Sequence, residues 1–121
     1  MDFQLDNNLP IWPQLLARMT ERILTRRYPP GSKLPSVREL ALEAGVNPNT
    51  MQRALSQLEA NGLVTTNRTA GRVVTEDERA LETVRERLAQ ERIAQYFAGM
   101  AKIGYDEQAA AALLAQRKER K

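Results

Sequence analysis

Hydrophobic positions along the chain recur with a helical period, give way once to a strand period, and then become helical again. Ile11, Leu15, Met19 and Ile23 fall four residues apart, and Leu16 and Leu24 widen the stripe, which predicts an amphipathic helix over about residues 11–27. Pro10 and Pro13 suit its first turn, where a missing N–H costs little, and Pro29-Pro30-Gly31 stops it. Ser36-Val37-Arg38-Glu39 reads as a capping box opening a short helix whose apolar side is Leu40, Ala41 and Ala44. Gly45 ends that helix. Asn47 and Pro48 then supply an N-cap and a first-turn proline for a second helix. Met51, Leu55 and Leu58 form its buried stripe, Asn49, Gln52, Arg53 and Ser56 face outward, and Asn61-Gly62 closes it.

Leu63–Thr66 and Arg72–Thr75 are β-prone runs separated by the turn segment Asn67-Arg68-Thr69-Ala70-Gly71, which predicts a two-stranded hairpin. Thr75-Glu76-Asp77-Glu78 reads as a second capping box, with Thr75 as the cap of a long helix over about residues 76–103. Gly104 ends it, Asp106 caps a last helix through Ala109–Leu114, and a basic tail, Arg117–Lys121, is expected to fray. Residues 1–9 read as extended or loosely ordered, and Trp12, Tyr28 and Tyr105 as packing residues. The fold class is therefore mainly α with a small β-hairpin. A winged helix-turn-helix over residues 1–75 is followed by a two-helix dimerisation segment over residues 76–121.

A capped helix, a tight turn and a second helix with polar rather than acidic outward residues point to DNA binding, because an α-helix fits the major groove and its first turns reach base edges. Asn49 and Gln52 carry amides able to read adenine, Arg53 can read guanine or hold a phosphate, and Thr50 suits a phosphate or a thymine methyl. Arg38, two residues past the Ser36 cap, and Lys33 in the preceding loop suit phosphate, which a helix N-terminus also favours. Arg68 and Arg72 flank a hairpin tip where Gly71 allows close backbone approach. The bland alternatives are an ordinary polar surface helix, an Arg38 paired with Glu39 or Glu43, and a solubilising turn. The two-helix context favours the DNA reading over them.

Charge sharpens this picture. Residues 1–75 hold nine Lys/Arg against six Asp/Glu, whereas residues 76–121 hold nine of each, so the net +3 lies in the half with the helix pair. The chain has no cysteine and no histidine, which removes thiolate metal sites, disulfides and the commonest general base; neither a cofactor nor an enzyme is expected. No apolar run approaches the roughly 20 residues of a membrane span, and the acidic start lacks the features of a signal peptide, so a cytoplasmic protein is expected. Leu81, Val84, Leu88, Phe97 and Met100 form an apolar stripe on a helix that outreaches a domain of this size, which predicts a second copy as its cover. A last helix folding back as an αα-hairpin is compatible with that.

Four segments together resemble the GntR family of bacterial transcription regulators. These are Pro10-Ile11-Trp12, Pro30-Gly31-Ser32-Lys33-Leu34-Pro35-Ser36-Val37-Arg38-Glu39-Leu40, Val46-Asn47-Pro48-Asn49-Thr50-Met51-Gln52-Arg53-Ala54 and Leu58-Glu59-Ala60-Asn61-Gly62-Leu63-Val64. The resemblance covers residues 10–75, and the two-helix tail is similar to that of the YtrA subfamily of dimeric repressors. It implies a palindromic operator with contacts from Arg38, Asn47, Asn49, Thr50, Arg53 and the wing tip at Gly71, and Ser36 is a further DNA-binding candidate. Pro48 stands where many relatives have arginine. The wing departs from the family pattern, with Thr69 in place of a glycine and Ala70 in place of a lysine. About 46 residues follow the wing, too few to enclose a ligand pocket of several hundred cubic ångströms in one chain, so no small-molecule effector is indicated, although a dimer interface could form such a pocket. The expectation is a homodimeric regulator, a repressor, on double-stranded DNA. The rival is a winged protein-interaction module, for which the amide-rich recognition helix is a poor match.

Overall fold

The computed structural model describes residues 3–119. The elements run α1 (Ile11–Leu24), α2 (Val37–Ala44), α3 (Pro48–Ala60), β1 (Val64–Asn67), β2 (Gly71–Val74), α4 (Glu78–Ala101) and α5 (Glu107–Glu119). They form two compact units, residues 1–82 and 83–121, so the first turn of α4 belongs to the first unit.

The core of the first unit is the predicted one. Leu15, Met19 and Ile23 of α1, Leu40 and Ala41 of α2, and Met51, Ala54, Leu55 and Leu58 of α3 are all buried, with α3 packed against both other helices. Each fully buried leucine or methionine contributes about 1.5–3 kcal/mol. Leu34, Leu63, Val64, Val74 and Leu81 close the same core from the loop, the hairpin and the start of α4. β1 and β2 pair antiparallel, Val64 with Val74 through Asn67 with Gly71.

The loop before α2 does more than the sequence reading anticipates. Lys33 bridges to Val73, the Gly31 N–H donates to the Val74 carbonyl at 2.9 Å, and the Leu34 N–H donates to the Arg72 carbonyl at 2.9 Å. Residues 31–34 thus act as a short third strand along β2, and the hairpin is anchored on its second edge.

α1 is shorter than its apolar stripe predicts. It ends at Leu24 because Arg26 adopts a left-handed conformation, φ 64°. The Arg26 N–H then donates to the Ile23 carbonyl and the Arg27 N–H to the Arg22 carbonyl, a Schellman closure built on arginine instead of glycine. The N-terminal segment, read as extended or loosely ordered, has no regular element over residues 3–6 but is held in place from Phe3 onward. Phe3 is buried, and the Gln14 amide spans the segment by accepting from the Asp6 N–H at 2.7 Å and donating to the Asp6 and Pro10 carbonyls.

The start of α4 is also corrected. The Asp77 carboxylate accepts from the Arg79 and Ala80 N–H groups, so Asp77 is the cap, and the Thr75 hydroxyl accepts only from the Asp77 N–H. An aspartate aimed at the helix start displaces the threonine two residues earlier.

In the second unit Asp106 caps α5, its carboxylate accepting from the Ala109 N–H at 2.8 Å. The Tyr96 hydroxyl donates to the Ala110 carbonyl at 2.8 Å, so α5 folds back on α4 as an αα-hairpin. α5 extends through Glu119, so Arg117 and Lys118 are helical instead of frayed; the last two residues of the tail lie outside the described residues. Tyr105, expected to pack, is 41% exposed.

The capping box on α2 forms as read. The Glu39 N–H donates to the Ser36 hydroxyl at 3.1 Å, and the Ser36 N–H donates to the Glu39 carboxylate at 2.9 Å. The Ser36 N–H first, its hydroxyl second, and Lys33 more weakly hold the Glu39 carboxyl below its ordinary value. A lowered folded pKa stabilises the fold above the unfolded value of about 4.5, and that stability fades as pH falls through the folded value. Glu39→Gln keeps an acceptor for the Ser36 N–H but does not titrate. Its unfolding free energy is therefore expected to fall less steeply than wild type below about pH 4.5, in urea melts at stepped pH. Parallel acid limbs for the two proteins would show that Glu39 is not linked to folding.

Candidate nucleic-acid interface

Local chemistry fixes where each candidate side chain begins. The Asn47 side-chain oxygen accepts from the Asn49 N–H at 2.7 Å, the Asn47 carbonyl accepts from the Thr50 N–H at 3.0 Å, and Pro48 occupies the first turn, so local bonds fix the start of α3. Asn47, Asn49, Gln52 and Arg53 are exposed and Thr50 is half-buried. The Gln52 amide donates to the Ser56 hydroxyl at 3.3 Å, which leaves its carbonyl oxygen and a second N–H uncommitted. Arg38 is exposed on the first turn of α2.

The hairpin tip is built on Asn67. Its side-chain oxygen accepts from the Thr69 N–H and hydroxyl, each at 2.9 Å, and from the Ala70 N–H at 3.1 Å. Thr69, which departs from the family pattern, thus ties the turn together through its hydroxyl. Gly71 has φ 81°, while a Cβ there would meet only the Lys33 Cε at 3.9 Å. The backbone conformation, and not crowding within the protein, calls for glycine at this position. Residues 33–37 and 69–72 enclose an open cleft of about 300 Å³, which brings Lys33, Ser36 and the wing tip together.

Ion pairing divides the basic residues among residues 3–75 into two sets. Arg18 pairs with Glu21, Arg22 and Arg27 with Glu43, Arg26 with Glu78, and Arg72 with Glu59. Lys33, Arg38, Arg53 and Arg68 have neither an ion-pair nor a hydrogen-bond partner among the described residues. The unpaired set sits on the loop, the first turn of α2, α3 and the wing tip. Glu43, which the sequence left as a partner for Arg38, is taken by Arg22 and Arg27. Arg72 lies among the paired residues: its side chain is 17% exposed, its Nε lies 3.7 Å from Glu59, and Glu59 also accepts from the Thr66 hydroxyl. Arg72 therefore ties β2 to α3.

Two residues were missed in the sequence. Trp12 lies beneath Arg53, whose guanidinium carbon is 4.4 Å from the ring centroid. Arg22 is only 2% exposed and stacks 4.1 Å from the centre of the Phe3 ring. Trp12 falls on the α1 face pattern, and Arg22 directly precedes the buried Ile23, but neither signal names its partner.

The expected dimerisation residues separate by burial. Leu81 belongs to the first unit, and both Leu81 and Val84 are buried in the protomer. Leu88, Phe97 and Met100 are half-buried, and Ile93 and Ile103, further apolar positions of the same segment, are 48% and 69% exposed.

The family model described as "Bacterial regulatory proteins, gntR family" matches residues 13–74. The chain is 35% identical over 104 residues to the uncharacterized HTH-type transcriptional regulator YhcF of Bacillus subtilis, covering 86% of each protein. It is 36% identical over 100 residues to the HTH-type transcriptional repressor YtrA of the same organism, covering 78% of this chain and 77% of that one. Among solved structures, a GntR family transcriptional regulator from Listeria monocytogenes superposes with a TM-score of 0.84 at 34% identity, over 93% of this chain and 98% of that one. No described helix is long and apolar enough to cross a membrane. Capped helix pair, anchored wing, unpaired basic residues and relatives agree: the chain belongs to the gntR family of bacterial regulatory proteins and is a DNA-binding transcriptional regulator with a winged helix-turn-helix.

Proposed function

We propose that the protein is a homodimeric repressor that binds a palindromic operator. In this reading α3 of each protomer enters one major groove, and residues 76–121 pair the two copies and set the half-site spacing. Lys33, Ser36, Arg38 and Arg68 hold phosphates. Asn47, Asn49, Thr50, Gln52 and Arg53 serve the major groove, and Gly71 brings the wing backbone close to DNA. Arg72 contributes by fixing the wing on α3.

The observation that carries this reading is the division of basic residues over residues 3–75: Lys33, Arg38, Arg53 and Arg68 form no ion pair among the described residues, whereas Arg18, Arg22, Arg26, Arg27 and Arg72 each have a carboxylate partner. Unpaired cations exchange condensed counterions for protein on phosphate without first losing an internal ion pair. Dimerisation is supported by the second unit. Val84 and Ala110 are its buried residues among those described, while Ile93, Ile103, Tyr105 and Leu114 are exposed. The repressor assignment follows the YtrA relative.

Selection from random duplexes at two salt concentrations tests the proposal. A two-fold palindrome is expected, and absence of enrichment at both salts would favour the protein-interaction module instead. On the selected operator, Arg53→Ala is expected to cost about 1–3 kcal/mol, with a smaller loss on random duplex. Equal losses on both would assign Arg53 to phosphate.

A further inference from the structure

We propose that Trp12 is a positioning residue for DNA recognition, a platform on which Arg53 is held in the orientation it uses on the operator. The inference rests on the assignment of Arg53 to DNA. Trp12 occupies the second position of α1, α1 packs along α3, and the Arg53 guanidinium lies over the indole at 4.4 Å. Indole has the strongest face potential of the aromatic side chains, so it holds a guanidinium better than Tyr or Phe would.

Stacking consumes none of the hydrogen-bond donors. The five N–H groups of arginine lie in the guanidinium plane, so a group stacked on a ring keeps its whole edge available for a guanine or a phosphate. Arg53 has no hydrogen-bond or ion-pair partner among the described residues, so its donors remain uncommitted. An exposed arginine otherwise loses most of its rotamer freedom when it is fixed on DNA, and that loss weakens binding. The platform imposes part of the restriction in the free protein. Arg53 is the unpaired arginine that the fold restrains without neutralising it; Arg22, Arg26 and Arg72 are restrained by carboxylates.

A double-mutant cycle on the full chain tests this, using equilibrium binding to the selected operator and to random duplex for wild type, Trp12→Leu, Arg53→Ala and the double variant. Trp12→Leu is expected to weaken operator binding about fivefold and random binding less, and Trp12→Phe to fall between it and wild type. In the Arg53→Ala background the same Trp12 change is expected to cost nothing further. A Trp12→Leu loss of equal size with and without Arg53 would mean a purely structural role and would overturn the inference. So would a large Arg53→Ala loss beside an unaffected Trp12→Leu. An Arg53→Ala protein with unchanged operator affinity would remove the DNA assignment of Arg53 itself, and the platform with it. Should Trp12→Leu fail to fold by thermal melt, the cycle with Trp12→Phe reads the same coupling.

Discussion

A protein carrying Ile93→Asp and Ile103→Asp is expected to sediment as a monomer and to bind its operator at least about a hundredfold more weakly than wild type. The reason is effective concentration. In a dimer the second half-site is occupied intramolecularly, and linking two modules adds a factor of about 10²–10⁴ over one module alone. Ile93 and Ile103 are 48% and 69% exposed in the protomer, so carboxylates there stay hydrated in the monomer but would be buried at an interface between copies. Ile93 shares a helix face with Phe97 and Met100, four and seven residues on, both half-buried. The unfolding transition of the first unit is expected to be unchanged, and binding to random duplex reduced far less than binding to operator. A variant that stays dimeric, or a wild-type protein already monomeric at micromolar concentration, would place the partner face elsewhere.

Arg22→Ala is expected to destabilise the first unit by about 3 kcal/mol, read as a lowered urea midpoint at unchanged slope. The guanidinium donates to Glu43 at 2.5 Å and to the Tyr28 hydroxyl at 2.6 Å, and its faces meet the rings of Phe3 and Tyr28 at 4.1 and 5.8 Å. Burial disfavours the charge, but the hydrogen bonds to Glu43 and Tyr28 outweigh that, and the group is held above the ordinary arginine value. One truncation therefore removes an ion pair, a hydroxyl partner and the stack that holds Phe3. The Glu43 side chain is 38% exposed and can be hydrated once released, which keeps the cost at the low end of the range for breaking buried pairs. Arg22→Met, which retains most of the volume, is expected to lose clearly less. Equal losses for the two variants would attribute the effect to charge alone.

Arg22 and Trp12 mark the limit of what the sequence could convey. Helix starts were readable wherever a capping side chain and its partner lie within three residues, as with Ser36 and Glu39 or Asn47 and Asn49, because the deciding interaction is local. They misled where cappers crowd together, since Thr75 and Asp77 both suit the role and only backbone geometry selects Asp77. The end of α1 was hidden because its left-handed residue is an arginine, a type that gives no signal for that conformation. The pairing of residues 31–34 with β2, the Arg22 cluster and the contact of Trp12 with Arg53 join segments remote in sequence, and side-chain type alone does not specify such partners. The same applies to Arg72: its position beside the wing suggested DNA, and the cross-strand neighbour of Thr66 instead faces Glu59.

The indole beneath Arg53 is also the only one in the chain. Its emission therefore comes from one place, next to a residue assigned to the groove, with no second tryptophan to dilute the signal. Any event that lifts the guanidinium, shields it or presses DNA against it changes the polarity around that ring. The unlabelled protein thus carries its own optical reporter of operator occupancy, usable in titrations and stopped-flow mixing without a dye that would perturb the interface.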